Sequence, residues 1–272
     1  MRVGTHKMKK IGFIGSGNMA RAIMGGIIKK GLFRPEEIIA SDIWEPARER
    51  TQKELGVEVV ENDRRVADES EMLVLAIKPQ FYMAVIDQIN DRVRADQIVI
   101  SLAPGWTKRR ITDTFGRKLK LVRTMPNTPA LALEGITAVS SSRLVTKEEL
   151  DRVLQVINSF GKAVMVDERL FDAVVAVSGS SPAYVFIMIE AMADAAVLEG
   201  MPRAQAYEFA AQAVYGSAKM VLETGKHPAE LKDMVCSPAG TTIEAVRALE
   251  EKGFRSSIIE AMKACAKKSR EL

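Results

Sequence analysis

The stretch IGFIGSGNMARAIMGGI, residues 11–27, decides how the rest of the chain is read. Its opening IGFI is apolar, and from Asn18 the apolar residues recur at helical spacing. Between the two lies Gly15-Ser16-Gly17-Asn18-Met19-Ala20, which fits G-x-G-x-x-A. Alone that pattern is weak. Placed between a strand and a helix, at the head of an alternating region, it predicts a dinucleotide-binding turn. Gly15 permits the tight turn, Gly17 lets a pyrophosphate approach the backbone, and Ala20 lets the helix pack close to the strand. The helix start then offers N–H groups and a positive dipole end to the phosphates. Ser16, Asn18 and Met19 belong to the same loop and are taken with it as cofactor contacts.

Downstream, short apolar runs alternate with helical patterns. Strands are predicted at 9–15, 37–42, 57–61, 72–78, 97–103, 120–126, 136–142 and 162–167, with helices between most of them. Gly56 and Gly116 close two of those helices. Alternation of this kind implies a parallel sheet covered on both faces, and runs such as LVLAI suit strands buried on both sides. After Asp167 no strand is convincing. Residues 183–200, 203–225 and 243–253 read as helices ending at glycines, and Met and Ala there suit tight helix packing. The expected architecture is an α/β, Rossmann-type doubly wound domain over 8–167, followed by an all-α domain over 168–272.

At 272 residues the chain can by length alone hold one large domain or two modest ones, and 47% apolar with 27% charged residues is ordinary for a globular protein. The longest continuous apolar runs are too short to span a bilayer, and no signal peptide opens the chain, so the expectation is a cytoplasmic protein with no membrane partner. Residues 1–7, ahead of Met8, read as an upstream start or a disordered lead-in. Two cysteines and two histidines leave almost nothing with which to build a His/Cys metal site or a Ser-His-Asp triad, and no metal site is expected. His227, before Pro228, reads as a loop or helix-start residue. The net charge of +4 is scattered, with doublets such as Lys29-Lys30 on helices, so no nucleic-acid partner is expected.

Ligands in open α/β sheets sit beyond the carboxyl ends of the strands. Asp42 ends the second strand, where an acid can hold a ribose 2′-hydroxyl and repel a 2′-phosphate. That leans towards NADH, while neighbouring Ser41, Arg48 and Arg50 keep NADPH open. Ala76-Ile77-Lys78-Pro79, Ala103-Pro104-Gly105 and RTMPNTP (123–129), with the amide of Asn127, form three further rims of the same crevice.

GSGNMA, LAIKPQ, RTMPNTPA, SGSSPAY (178–184) and CSPAGTTIEAVRALE (236–250), in this order, resemble pyrroline-5-carboxylate reductase over nearly the whole chain from Met8. The resemblance implies an NADPH- or NADH-dependent reduction of L-1-pyrroline-5-carboxylate to L-proline. It also implies a homodimer through the C-terminal helices, often assembled into a larger ring of dimers such as a decamer, and an active site between cofactor crevice and helical dimer. Asn62, followed by Asp63, is the candidate for an asparagine that the family uses near the adenosine end, displaced from the family's position. Ala103-Pro104-Gly105 departs from the family's two alanines and a glycine, and Ala239 stands where glycine is usual.

In the most specific stretch, Thr241-Thr242-Ile243-Glu244 fits a capping box, with Thr241 as N-cap and Glu244 reaching back. Thr242 then falls at the first helical position, where no hydroxyl is needed. Gly240 and Ala239 clear space for N–H groups to meet a small carboxylate. On the resemblance, Thr242 is the candidate catalytic residue at the ring nitrogen. Ser237, Gly240 and Thr241 are candidates for the substrate carboxylate, and Ser181 also lies near the substrate. Two other readings stand beside this one. A hydroxy-acid dehydrogenase of the same plan would use a lysine on the first long helix, and residues 181–200 contain none. A non-catalytic, cofactor-sensing oligomer would have no need of Thr242.

Overall fold

The computed structural model describes residues 8–271, and the lead-in reading of residues 1–7 lies outside them. Residues up to Gly179, with Cys265 onward, form one compact unit; Ser180–Ala264 form a second.

The first unit is built on an eight-stranded sheet in the order β3-β2-β1-β4-β5-β6-β7-β8. The strands are β1 (Lys9–Ile14), β2 (Ile38–Ser41), β3 (Glu58–Val60), β4 (Ser70–Leu75), β5 (Ile98–Ser101), β6 (Lys120–Met125), β7 (Gly135–Ser141) and β8 (Gly161–Met165). Between them run α1 (Asn18–Lys29), α2 (Glu45–Leu55), α3 (Asp63–Glu69), α4 (Tyr82–Ile89), α5 (Lys108–Phe115) and α6 (Lys147–Asn158). After β8 come α7 (Phe171–Val174) and a π-helical turn, Val175–Gly179. The doubly wound expectation holds, with one correction. All pairs from β3 to β6 are parallel, but β7 runs antiparallel to β6, and β8 parallels β7. The cause is the connection. From Met125 to Gly135 the chain makes only a 3₁₀ turn, Thr128–Ala132, whereas a parallel crossover needs about a dozen residues or more.

Period-two alternation divides the core between the two faces of the sheet. Ile11, Phe13, Met72 and Val74 join Ile23, Met24 and Ile27 of α1 and Val153 and Ile157 of α6. Ile14, Leu73 and Leu75 join Val66 of α3, Ile86 of α4 and Ile111 and Phe115 of α5. Each large apolar side chain buried in this way contributes about 1.5–3 kcal/mol. The strand order reverses at β1 and β4, and such a switch point opens a crevice at the carboxyl ends of the strands.

The second unit contains α8 (Ser181–Leu198), α9 (Arg203–Thr224), α10 (Pro228–Val235), α11 (Thr241–Glu251) and the first part of α12 (Phe254–Arg270). His227 is the N-cap of α10, its Nδ1 accepting from Ala229 N–H at 3.1 Å. α8 and α9 meet through Ala193, Ala206 and Ala210, whose small side chains let the helices approach closely. Their other faces are apolar too, yet exposed: Leu198 is 86% and Phe209 66% accessible, and Phe186, Ile187 and Leu222 are also open. The helical run Glu168–Leu198 is long and apolar enough by composition to cross a membrane, with mean hydropathy 1.5.

Candidate cofactor crevice and candidate substrate turn

Two glycines of the β1–α1 loop differ in what the fold asks of them. Gly15 has φ +94°, and a Cβ there would lie 2.6 Å from the carbonyl oxygen of Ala76. Only glycine lets the ends of β1 and β4 close up, with Gly15 N–H donating to Ser41 O at 2.9 Å and Ala76 N–H to Ile14 O at 2.8 Å. Gly17, by contrast, has an ordinary φ of −67°, and a Cβ would meet nothing within 4 Å. Nothing inside the fold requires glycine there. The open space lies at the start of α1, whose N-cap is Gly17 and whose first turn carries no acid. The N–H groups of Asn18, Met19 and Ala20 have no intrahelical acceptor. A pyrophosphate supplies the missing acceptor and needs the missing Cβ, so the loop fits a dinucleotide.

Ser16 and Asp42 form one lock. Ser16 is 1% exposed, and both its N–H and its Oγ donate to Asp42 Oδ2 at 2.9 Å. Asp42 Oδ1 accepts from Trp44 N–H at 3.0 Å, and Asp42 N–H donates to Val60 O at 3.1 Å. The Ser16 polar groups therefore point at Asp42, and the loop meets a ligand through Gly17 and α1. Ser41 is fully buried, its Oγ donating to Asp63 Oδ1 at 2.6 Å, so its hydroxyl turns inward, away from any ligand. Burial raises the Asp63 carboxyl above the usual range; the Ser41 hydrogen bond opposes this and the Asp42 charge adds to it. Asn62 is the N-cap of α3, its Oδ1 accepting from Arg64 N–H at 3.0 Å. That oxygen is engaged in the cap, as an asparagine before a helix predicts.

The remaining rims are held together by a residue that the sequence did not single out. Tyr82 is fully buried; its OH donates to Leu75 O at 2.8 Å, lies 3.0 Å from Ser101 Oγ and accepts from Leu102 N–H at 3.3 Å. One phenol thus ties the ends of β4 and β5 side by side. Burial pushes its pKa up to about 12, against the smaller opposing effect of Ser101. Trp106 packs on the same ring at 4.9 Å and donates Nε1–H to Pro79 O at 3.0 Å, fixing the turn after Lys78. Ala76 and Ile77 are half-buried and Lys78 is exposed. Ala103 is buried in the core below α5, so only its backbone is left to face a ligand, and Gly105 turns with φ +73°. Asn127 Oδ1 accepts from Ile136 N–H at 2.9 Å, which leaves its Nδ2 as the group to offer.

In the second unit, the turn from Cys236 to Gly240 joins α10 to α11. Ala239 has φ 58°, a left-handed conformation costly for a residue with a Cβ. That twist places Gly240 at the N-cap of α11, with φ −82° and ψ 170°. The capping-box expectation is therefore corrected: Thr241 is the first helical residue, Thr242 the second, and no side chain caps the helix. Glu244 instead accepts from Arg247 Nε at 2.7 Å. Gly240 N–H is used within the turn, donating to Ser237 O at 3.0 Å, and the Ser237 hydroxyl packs against Gly240. The N–H groups of Thr241 and Thr242 have no intrahelical acceptor, and the half-buried Thr242 hydroxyl stands beside them. Such a helix start has its anion-binding groups uncapped by its own side chains. Ser181, half-buried, opens α8, while Ser178 Oγ donates to Val174 O at 3.0 Å inside the π-helical turn. Among the described residues there is no cluster of three or more His, Cys, Asp or Glu able to hold a metal.

A family profile described as pyrroline-5-carboxylate reductase dimerisation matches residues 168–272, and one described as NADP oxidoreductase, coenzyme F420-dependent, matches residues 10–105. The pyrroline-5-carboxylate reductase of Escherichia coli K12 is 51% identical over 97% of this chain and 98% of its own. That of Methanosarcina acetivorans is 44% identical over the same shares. A solved pyrroline-5-carboxylate reductase from Coxiella burnetii superposes with TM-score 0.88 at 32% identity, over 97% of this chain and 98% of that one. The Plasmodium falciparum pyrroline carboxylate reductase, solved with NADP bound, gives TM-score 0.89 at 28% identity, over 98% and 99%.

Proposed function

The chain belongs to the pyrroline-5-carboxylate reductase family, and on that premise we propose how its own residues divide the work. The reaction is the reduction of L-1-pyrroline-5-carboxylate to L-proline, the last step of proline synthesis, with NADPH or NADH. When bound, the nicotinamide supplies the hydride that forms the new C–H bond at the imine carbon. Gly15 shapes the loop; Gly17, Asn18 and Met19 take the pyrophosphate; Asp42 takes the adenosine ribose. The backbone at Ala76–Pro79 and Ala103–Gly105, with Asn127 Nδ2, borders the nicotinamide end.

The substrate carboxylate is held by the N–H groups of Thr241 and Thr242 and by the Ser237 hydroxyl, with Gly240 providing clearance. The Thr242 hydroxyl hydrogen-bonds the ring nitrogen and orients its proton. A protonated imine needs only hydride to become a secondary amine, which solvent then protonates, so no strong general acid is required. The rate then comes from orientation and electrostatic placement. The observation that carries this reading is the uncapped start of α11, where Gly240 leaves the first-turn N–H groups without a side-chain partner. Replacing Thr242 by Val tests it: turnover falls while NAD(P)H affinity stays, and unchanged turnover removes Thr242 from the mechanism.

The second unit serves oligomerisation as well as substrate binding. In this reading residues 168–272 act as the dimerisation domain, beside a dinucleotide-binding domain over 8–167. A second copy of the chain covers the apolar faces of α8 and α9, so these helices meet protein and not lipid, and dimers can assemble further into a decamer. A helix apolar on all sides needs such cover. A cytoplasmic location completes the reading, supported by a reaction that draws on nicotinamide cofactor and by cysteines that form no disulfide.

A further inference from the structure

We propose that this chain selects NADH over NADPH, and that the selector is the locked turn Ser16–Asp42–Trp44; this rests on the cofactor reading above. Three hydrogen bonds fix the Asp42 carboxylate in place, two from Ser16 and one from Trp44 N–H. A carboxylate has about four acceptor sites, so one remains for a hydroxyl donor. Asp42 is half-buried at the end of β2, so that site is open to a ligand. A ribose 2′-hydroxyl donates into it. A 2′-phosphate has no proton to donate at neutral pH and brings negative charge against a carboxylate that cannot swing away.

The nearby cations do not offset this. Arg48 Nη1 donates to Asp42 O at 2.9 Å and to Ile43 O at 3.2 Å, bracing the backbone of the turn. Arg50 reaches Asn18 Oδ1 at 3.4 Å and Glu54 at 3.7 Å, and Arg21 holds the same two partners at 2.7 Å. Each arginine around the loop is engaged with this chain's own acceptors. Ile43 and Trp44, 82% and 64% exposed, present apolar surface next to Asp42 on which an adenine ring can pack. The glycine loop and the ribose selector are one unit, because the same Ser16 residue belongs to both.

Calorimetric titration of the full-length protein with NADH and with NADPH, without substrate, reads the selection apart from the reaction. NADH binds more tightly by about tenfold or more, as expected when charge and hydrogen bonding both discriminate. Asp42→Asn, which keeps the shape and removes the charge, narrows the ratio, and Asp42→Ser narrows or reverses it. Equal or tighter binding of NADPH by the wild-type protein overturns the proposal, as does an unchanged ratio in both variants. Binding of neither nucleotide overturns the cofactor reading with it. Selective binding of NADH without turnover of pyrroline-5-carboxylate leaves the selector standing and counts against the reaction alone.

Discussion

Ser237 Oγ sits so close to Gly240 that a Cβ on Gly240 would come within 2.3 Å of it. The hydroxyl assigned to the substrate carboxylate and the glycine at the helix start are thus packed as a pair. Gly240→Ala must push Ser237 aside, at a cost of about 1–3 kcal/mol. The expected result is a raised KM for pyrroline-5-carboxylate with NAD(P)H affinity unchanged, read from steady-state kinetics and nucleotide titration.

Ala239 is the opposite case, a Cβ kept where the backbone is left-handed. Ala239→Gly relieves that strain, set against the greater freedom of glycine in the unfolded chain. The net gain is about 1 kcal/mol or less. In a chain of this length that raises Tm by roughly 2–4 °C per kcal/mol, measurable by calorimetry.

Tyr82→Phe removes the hydroxyl shared by Leu75 O, Ser101 Oγ and Leu102 N–H, leaving the longer Leu102 N–H to Leu75 O bond at 3.4 Å, and costs about 0.5–1.5 kcal/mol in denaturant titrations. The pH dependence has a definite sign. The folded pKa, pushed up to about 12, lies above the ordinary value of a tyrosine, about 10, so the neutral phenol is favoured in the folded state. Its contribution is whole below the unfolded pKa and is lost as pH climbs towards the folded value. The stability gap between wild type and Tyr82→Phe therefore narrows above about pH 10 and then closes. A constant gap across that range contradicts the role given to the phenol.

Phe209→Asp places a charge on the exposed apolar face of α9. If a second copy covers that face, light scattering in detergent-free buffer shows a multimer for wild type and a smaller species for the variant. An unchanged mass puts the interface elsewhere.

Much of this was legible in the residues. Gly15 and Gly17 located the turn between β1 and α1, and apolar runs such as LVLAI located the buried strands, because period and turn chemistry are local properties. What stayed hidden depends on contacts between distant segments. The direction of β7 follows from a connection too short to cross over. Ser16 and Asp42 lie 26 residues apart, and no spacing rule announces that one locks the other. Tyr82 has no mark in the sequence, and its part emerges only when the ends of β4 and β5 are placed around its hydroxyl. The N-cap of α11 shifted by one residue because Ala239 takes a conformation that an alanine does not advertise.

The most direct test of the account follows absorbance at the nicotinamide band with pyrroline-5-carboxylate supplied, comparing wild type with Thr242→Val. Rapid, substrate-dependent loss of absorbance in the wild type, and a much slower loss in a variant that still binds the nucleotide, is the predicted result. No loss with either NADH or NADPH, in wild-type protein shown to bind the nucleotide, would contradict it.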